Sequence, residues 1–306
     1  MINITKYRKF YYLFSGAILV VSVASLFIFG LNLGLDFKGG SILEINYSQT
    51  LPSKDRISSE LKKIGLLENS LQETAGNNLI IRFKEIDESK HQELKTVLEN
   101  LGQEIDSHNI LSESVFESLG PSIGQELKVK TLYAMIIVFF LIVFYIAYAF
   151  RKVSHPLSSW QYGLATLLTL FHDVLIPMGV FALLNHYKNI EINMNFVVAI
   201  LTILGYSVHD TIIVFDRIRE NLLKSKNLNF EEIVNRSLNQ TFLRSINTSL
   251  TVIFVLLAIY FFGGVSIKYF ALALLIGIGA GTYSSIFIAS PILVSWYYKK
   301  LKYGLR

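Results

Sequence analysis

Six stretches of this 306-residue chain are each long enough and apolar enough to cross a bilayer, and nothing else restricts its fold as much. Phe10–Leu31, Thr131–Phe150, Ser245–Ile267 and Tyr269–Tyr298 contain no charged side chain. Ser158–Leu184 is interrupted only by His172 and Asp173, and Ile192–Phe215 only by His209 and Asp210. A hydrocarbon core about 30 Å thick is spanned by about 20 helical residues. Inside it, every backbone polar group needs a partner in its own segment, so the pattern predicts six membrane helices.

Asp173 and Asp210 stand out against that background. A charged side chain at the centre of a bilayer costs about 2.5–3.5 kcal/mol on insertion scales, which makes each a candidate functional group. A carboxylate desolvated at this depth can take up and release a proton near neutrality when a neighbouring cation sets the balance. The alternative for Asp210 is a static buried pair that orients helices. At 100° per residue, Asp210 and Arg217 lie within about 20° of each other, two turns apart. Asp216 points elsewhere, towards Arg219, Glu220 and Asn221. His172 and Asp173 are adjacent and cannot share a face. They serve either as a relay beside the ion site or as helix–helix hydrogen bonds, and Pro177 one turn on frees a backbone carbonyl for such a site. Arg244 opens the fifth span. It either snorkels to the headgroups or turns inward as counter-ion to Asp210, with Asn247, Thr248 and Ser249 as hydrogen-bonding neighbours.

Basic residues set the orientation. Lys6, Arg8, Lys9, Arg151, Lys152, Arg217, Arg219, Lys224, Lys226, Arg236, Arg244, Lys299, Lys300, Lys302 and Arg306 fall on one side, against Lys188 and Lys268 in the two short opposite loops. Both termini are expected in the cytoplasm, and the first span reads as an uncleaved anchor. Residues 32–128 hold sixteen acidic and ten basic side chains, so the net charge of +5 reflects topology and gives no reason to expect nucleic acid. The chain has no cysteine, which excludes disulfides, thiolate metal sites and thiol nucleophiles.

Residues 32–130 form an expected exported domain. Ser41–Ser48 alternates apolar and polar residues, as a strand does; Ile57, Leu61 and Ile64 repeat at helical spacing after Pro52-Ser53 and stop at Gly65. Ser70–Thr74 and Asn78–Lys84 flank Ala75-Gly76-Asn77, a hairpin signal. Asp87–Leu101 is helical in pattern, closed by Gly102, and Asn109–Leu119 alternates again. This order of strand, helix, strand, strand, helix, strand predicts a ferredoxin-like α+β domain. Over about 218–243, Phe230, Ile233, Val234 and Leu238 on a charged background predict an amphipathic helix along the cytoplasmic interface. Gly277 and Gly281 form a small-xxx-small pattern, expected to pack closely, including against a partner protein. No metal-ligand spacing, phosphate loop or nucleophile triad is present, so an enzyme is not expected.

Four strings point to a family. Gly34-Leu35-Asp36-Phe37-Lys38-Gly39-Gly40 follows the first span, and Leu119-Gly120-Pro121-Ser122-Ile123-Gly124 precedes the second. Gly205–Asn221 closes the fourth, and Arg244-Ser245-Ile246-Asn247-Thr248-Ser249 opens the fifth. With the six spans and one large polar domain, the chain resembles the SecD/SecF family of the bacterial Sec translocase along essentially its whole length. The resemblance implies half of a resistance-nodulation-division bundle acting with SecD and the SecYEG channel, with SecA and YajC in the same assembly, on unfolded preprotein in the bacterial inner membrane. It implies no cofactor other than a transmembrane proton or sodium gradient. Asp210 matches the family's membrane carboxylate, Arg244 its basic partner, and Asp173 a further family position. Asp36, Gly39 and Gly40 match a hinge-like string whose glycines supply positive-φ freedom. His209 departs from the Asn expected there, adding a titratable group that changes the working pH or the ion taken. His172, Asp216 and Arg217 remain candidate modulators. An exporter of small molecules or lipids from the same superfamily is the alternative, and a non-conducting structural subunit of a translocon is a third reading.

Overall fold

The computed structural model describes residues 3–66, 69–74, 76–150, 156–224 and 228–303. Ala75 of the hairpin turn and the flanking cations Arg151, Lys152, Lys226 and Arg306 lie outside the described residues. The chain divides into two units, Leu33–Leu132 in one and Met1–Asn32 with Tyr133–Arg306 in the other.

The smaller unit opens with a single helical turn, α2 (Leu35–Lys38), after the first span, α1 (Arg8–Phe29). It continues as β1 (Gly40–Tyr47), α3 (Lys54–Lys63), β2 (Asn69–Thr74), β3 (Asn78–Phe83), α4 (Glu88–Ile105) and β4 (Leu111–Leu119). The sheet order is β2-β3-β1-β4 with every neighbouring pair antiparallel, the arrangement of a ferredoxin-like βαββαβ unit. Alternation turns Leu43, Ile45 and Tyr47 of β1 to one face, where they meet Leu79 and Ile81 of β3, Ile57 and Leu61 of α3, and Leu94 and Leu98 of α4. Asp87 caps α4 by accepting from the Lys90 N–H at 2.8 Å. Gly102 does not end that helix, which runs on to Ile105. The glycine is there for clearance, since a Cβ would stand 2.7 Å from the Tyr47 ring, whose hydroxyl donates to the Leu98 carbonyl at 2.8 Å.

The larger unit is helical. α5 (Pro121–Ala149), whose residues from Tyr133 on belong to it, begins in the smaller unit on Pro121, where a missing N–H costs nothing. α6 (Ser159–Lys188), α7 (Met194–Lys224), α8 (Phe230–Phe262) and α9 (Val265–Ser284) follow. A π-turn at Ser285–Ala289 leads into α10 (Ser290–Tyr303), and α9 to α10 forms one continuous span. Among the described residues, six helices are long and apolar enough to cross a membrane.

Between α7 and α8 the structure differs from expectation. Among the described residues of 218–243 there is no separate interfacial helix: α7 extends to Lys224 and α8 starts at Phe230. Asn229 and Glu232 close a reciprocal capping box at that start, with bonds of 2.9 and 3.2 Å. Phe230, Ile233, Val234 and Leu238 are buried within the bundle. The chain's own amino terminus lies over this end of α8. Ile4 and Thr5 are buried, the Thr5 N–H donates to Asn235 Oδ1 at 3.1 Å, and Glu231 accepts from Thr5 Oγ1 at 2.7 Å and pairs with Arg8 at 3.1 Å. An amphipathic pattern records only that one face is covered, not what covers it.

Small residues set the helix spacing. A Cβ on Gly179 of α6 would collide with the Ser22 backbone of α1, and one on Gly277 would collide with Ile203 of α7. Gly281 faces Ser207 of α7, and a Cβ there would stand 3.1 Å from the serine Cβ. Gly277 and Gly281 therefore pack inside this chain, not against a partner.

Candidate functional site

A polar layer crosses the otherwise apolar bundle, built by residues at helical spacing. α7 buries Ile203, Ser207, Asp210 and Val214, a stripe of four, three and four residues that places serine and carboxylate on one inward face. α6 contributes His172 and Asp173, 3% and 0% exposed. α8 contributes Ser245 and Ser249, and α9 contributes Thr282, Ser284 and the start of the π-turn at Ser285, all buried.

The two carboxylates are held differently. Asp173 Oδ2 accepts from Ser207 Oγ at 2.5 Å and from Ser284 Oγ at 2.7 Å, while its Oδ1 pairs with His172 Nδ1 at 2.8 Å. It thereby joins α6, α7 and α9. Pro177 carries no N–H, so the carbonyl of Asp173 loses its helical donor. Asp210 Oδ2 accepts from Ser285 Oγ. Ser245 Oγ on α8 is buried without a hydrogen-bond partner among the described residues. One turn away, Tyr206 OH donates to Ser249 Oγ at 3.0 Å, and Ser249 Oγ shares a hydrogen with Thr282 Oγ1 at 2.6 Å.

Arg244 is not beside Asp210. It is exposed, on the outer face of α8, with Asn247 and Thr248. Adjacent helical residues differ by about 100°, so once Ser245 faces inward, Arg244 cannot. Of the three expected neighbours only Ser249 faces inward; Thr248 Oγ1 donates to the Arg244 carbonyl at 2.8 Å. His209 is likewise exposed on the outer face of α7. Arg217 does not reach Asp210 either: it donates to Gln240 Oε1 at 2.7 Å and pairs with Glu220. Gln240 also accepts from Asn221 Nδ2 at 2.8 Å, extending that network between α7 and α8. Asp216 is exposed and pairs with Arg219 at 3.8 Å, on the face the spacing indicated.

In the smaller unit, Asp36 lies in α2, and Gly39 and Gly40 adopt φ of 74° and 124°, a region open to glycine. A Cβ on Gly39 would stand 2.6 Å from Pro121 Cα, and one on Gly124 would stand 2.9 Å from the Gly39 nitrogen. The string is thus seated backbone to backbone on the start of α5.

Sequence reasoning did not single out Ser207, Thr282, Ser284 or Ser285 as carboxylate-layer residues. The available signal was their register. Ser207 and Asp210 lie three apart, and Ser245 and Ser249 four apart, so each pair shares a helix face.

The family model described as protein export membrane protein SecD/SecF, C-terminal, matches residues 94–299, and that of the SecD/SecF GG motif matches 24–51. A protein translocase subunit SecF from Thermobaculum terrenum is 45% identical, covering 97% of this chain and 94% of that one. The SecF subunit of Haemophilus influenzae is 38% identical, covering 94% and 83%. Among solved structures, SecDF of Thermus thermophilus, a translocon-associated membrane protein, superposes with a TM-score of 0.79 at 30% identity. A SecDF in a super-membrane-facing form gives 0.69 at 29%. This chain covers 39% and 40% of those two longer chains.

Proposed function

Because this multi-pass membrane chain belongs to the SecD/SecF family of protein export membrane proteins, we propose that it is the SecF-type subunit of a Sec translocase, coupling ion flow to late steps of preprotein export. In this reading Asp210 alternates between ionised and protonated forms as protons cross the bundle. The repacking of α7, α8 and the last span passes through α1 and the Asp36–Gly40 string to the ferredoxin-like unit, exported over residues 32–130. Each charge moved through 100 mV supplies about 2.3 kcal/mol. Several ions per step are therefore needed for substantial work.

The observation that supports this reading is a buried carboxylate, Asp210, in the middle of a helix long and apolar enough to cross a membrane, accepting from Ser285 of the last span. The outward direction of Arg244, His209, Asn247 and Thr248 supports a protein neighbour on that face, since such groups are costly against lipid. SecD, which shares the family, is the neighbour assigned to it. The SecYEG channel, SecA, YajC and unfolded preprotein complete the assembly. Arg244 meets its carboxylate either on SecD or on Asp210 after α8 rotates.

Preprotein export in vesicles, with proton and sodium gradients imposed separately, tests the reading. Asp210→Asn should assemble normally and lose gradient-driven export. Full export by that variant rules the coupling role out.

A further inference from the structure

Asp173 and Asp210 meet the last span at neighbouring residues. Ser284 Oγ donates to Asp173 Oδ2 at 2.7 Å, and Ser285 Oγ donates to Asp210 Oδ2. Consecutive helical residues point about 100° apart, so the two serines reach carboxylates on two different helices, α6 and α7. The same oxygen of Asp173 accepts from Ser207 Oγ at 2.5 Å. Ser207 lies three residues before Asp210, on the same face of α7. One oxygen of Asp173 therefore draws together the turn of α7 that leads to Asp210 and the residue next to its donor.

Neither serine needs a carboxylate to place its hydrogen. Ser284 Oγ also reaches the Gly281 carbonyl at 3.1 Å, and Ser285 Oγ reaches the Thr282 carbonyl at 3.1 Å. A hydroxyl released from its carboxylate turns back onto its own helix. What Asp173 adds is a fixed register between two helices. Its own direction is set at the other oxygen, where Oδ1 meets His172 Nδ1 at 2.8 Å. Register matters here because the π-turn, Ser285–Ala289, begins at the serine that engages Asp210, where the α-helical ladder gives way.

We propose that Asp173 is a positioning residue for Asp210: through Ser207 and Ser284 it locks α7 to the last span, so that Ser285 is presented to the Asp210 carboxylate. An ionised carboxylate accepts hydrogen bonds only, and a donor held at it favours the ionised form. The strength of that donor then depends on a residue of a third helix. Among the described residues, the titratable side chains of this layer are His172 and Asp173 on α6, with Tyr206 and His209 within about a turn of Asp210 on α7. α9 adds Tyr283, whose ring lies 6.3 Å from that of His172. α8 turns Ser245 and Ser249 inward and Arg244 outward. Serine variants leave all these charges unchanged, so a moved titration of Asp210 reports its hydrogen bond.

The inference rests on Asp210 being the titrating group of the proposed function. It is tested on the full chain in its membrane assembly, by infrared titration of the protonated carboxyl band that Asp210→Asn removes. Ser285→Ala deletes the donor and should move the midpoint up by about one pH unit. Ser284→Ala keeps that donor but unhooks its neighbour from Asp173, and should move the midpoint up by about half a pH unit. In a Ser285→Ala background the same change should add nothing, because its effect passes through Ser285. Ser284→Cys, a weak donor of near-native size, should repeat the pattern where alanine does not assemble. A merely structural contact would lower stability and leave the midpoint still. A midpoint that ignores Ser284→Ala, or moves equally with and without Ser285, overturns the positioning role and leaves the coupling role standing. Full export by Asp210→Asn with the pattern intact sinks the coupling role alone, and a band that does not titrate overturns both.

Discussion

Asp173 and Asp210 occupy one bundle, one helix apart, and both are bound by neighbouring serines of the same span. Asp173 is 0% exposed and is met by Ser207, Ser284 and His172, which ties three helices at one carboxylate. Among the described residues, Asp210 is engaged by a single hydroxyl of that span, Ser285. Burial alone does not separate them, because both are removed from water. The difference lies in how each carboxylate is held. Asp173 is fastened at both oxygens and ties helices together, whereas among the described residues Asp210 accepts at one oxygen, which leaves it freer to take up a proton.

That contrast is open to attack, most severely at Asp173. Asp173→Ala would strand Ser207, Ser284 and His172 inside the bundle, and should cost about 3–5 kcal/mol of stability. Thermal unfolding in detergent checks this, with Asp210→Asn, expected within about 1 kcal/mol of wild type, as the counterpart. Equal losses in the two variants would erase the distinction.

Gly277→Ala drives a methyl into Ile203 on the helix that carries both Ser207 and Asp210. A cost of about 1–3 kcal/mol is expected from overpacking, measured in the same assay. Retained stability would mean that the two helices are not held at the close spacing both clusters require.

A reference point outside the bundle comes from Tyr47, whose phenol is pushed well above its usual value by burial and, secondarily, by Glu99. Its stabilising effect is complete below the unfolded value of about 10 and is lost as pH rises towards the folded one. Tyr47→Phe should cost about 1 kcal/mol at neutral pH and remove one late-titrating group from the tyrosinate absorbance of the full chain. The smallest expected effect is that of Ser249→Ala. It breaks the link to Tyr206 and Thr282 one turn from Asp210 and should cost about 0.6 kcal/mol. A loss of several kcal/mol would show that the hydroxyl ladder, not Asp173, is the main fastening.

The spans were legible because membrane length and lack of charge need no tertiary information. The ferredoxin-like order was legible for a related reason: in β1, Leu43, Ile45 and Tyr47 alternate with polar neighbours, and one face is simply apolar. The polar layer was only half visible. Asp173 and Asp210 announce themselves by cost, but a serine in a membrane helix looks neutral, and Ser207, Ser245, Ser284 and Ser285 come together only through folding. The direction of Arg244 was hidden too, since its string fits both an inward and an outward register. The first turns of α8 were misplaced because the segment that covers them, Ile4 to Arg8, lies more than two hundred residues away.

The central claim is that the charge on Asp210 moves the helices around it. Hydrogen exchange of the full chain in its membrane assembly, at several pH values and corrected for intrinsic exchange, tests this most directly at the Gly281–Ser290 amides. The account predicts that protection there changes with pH in the wild type and stays flat in Asp210→Asn. The same pH response in both proteins would contradict it.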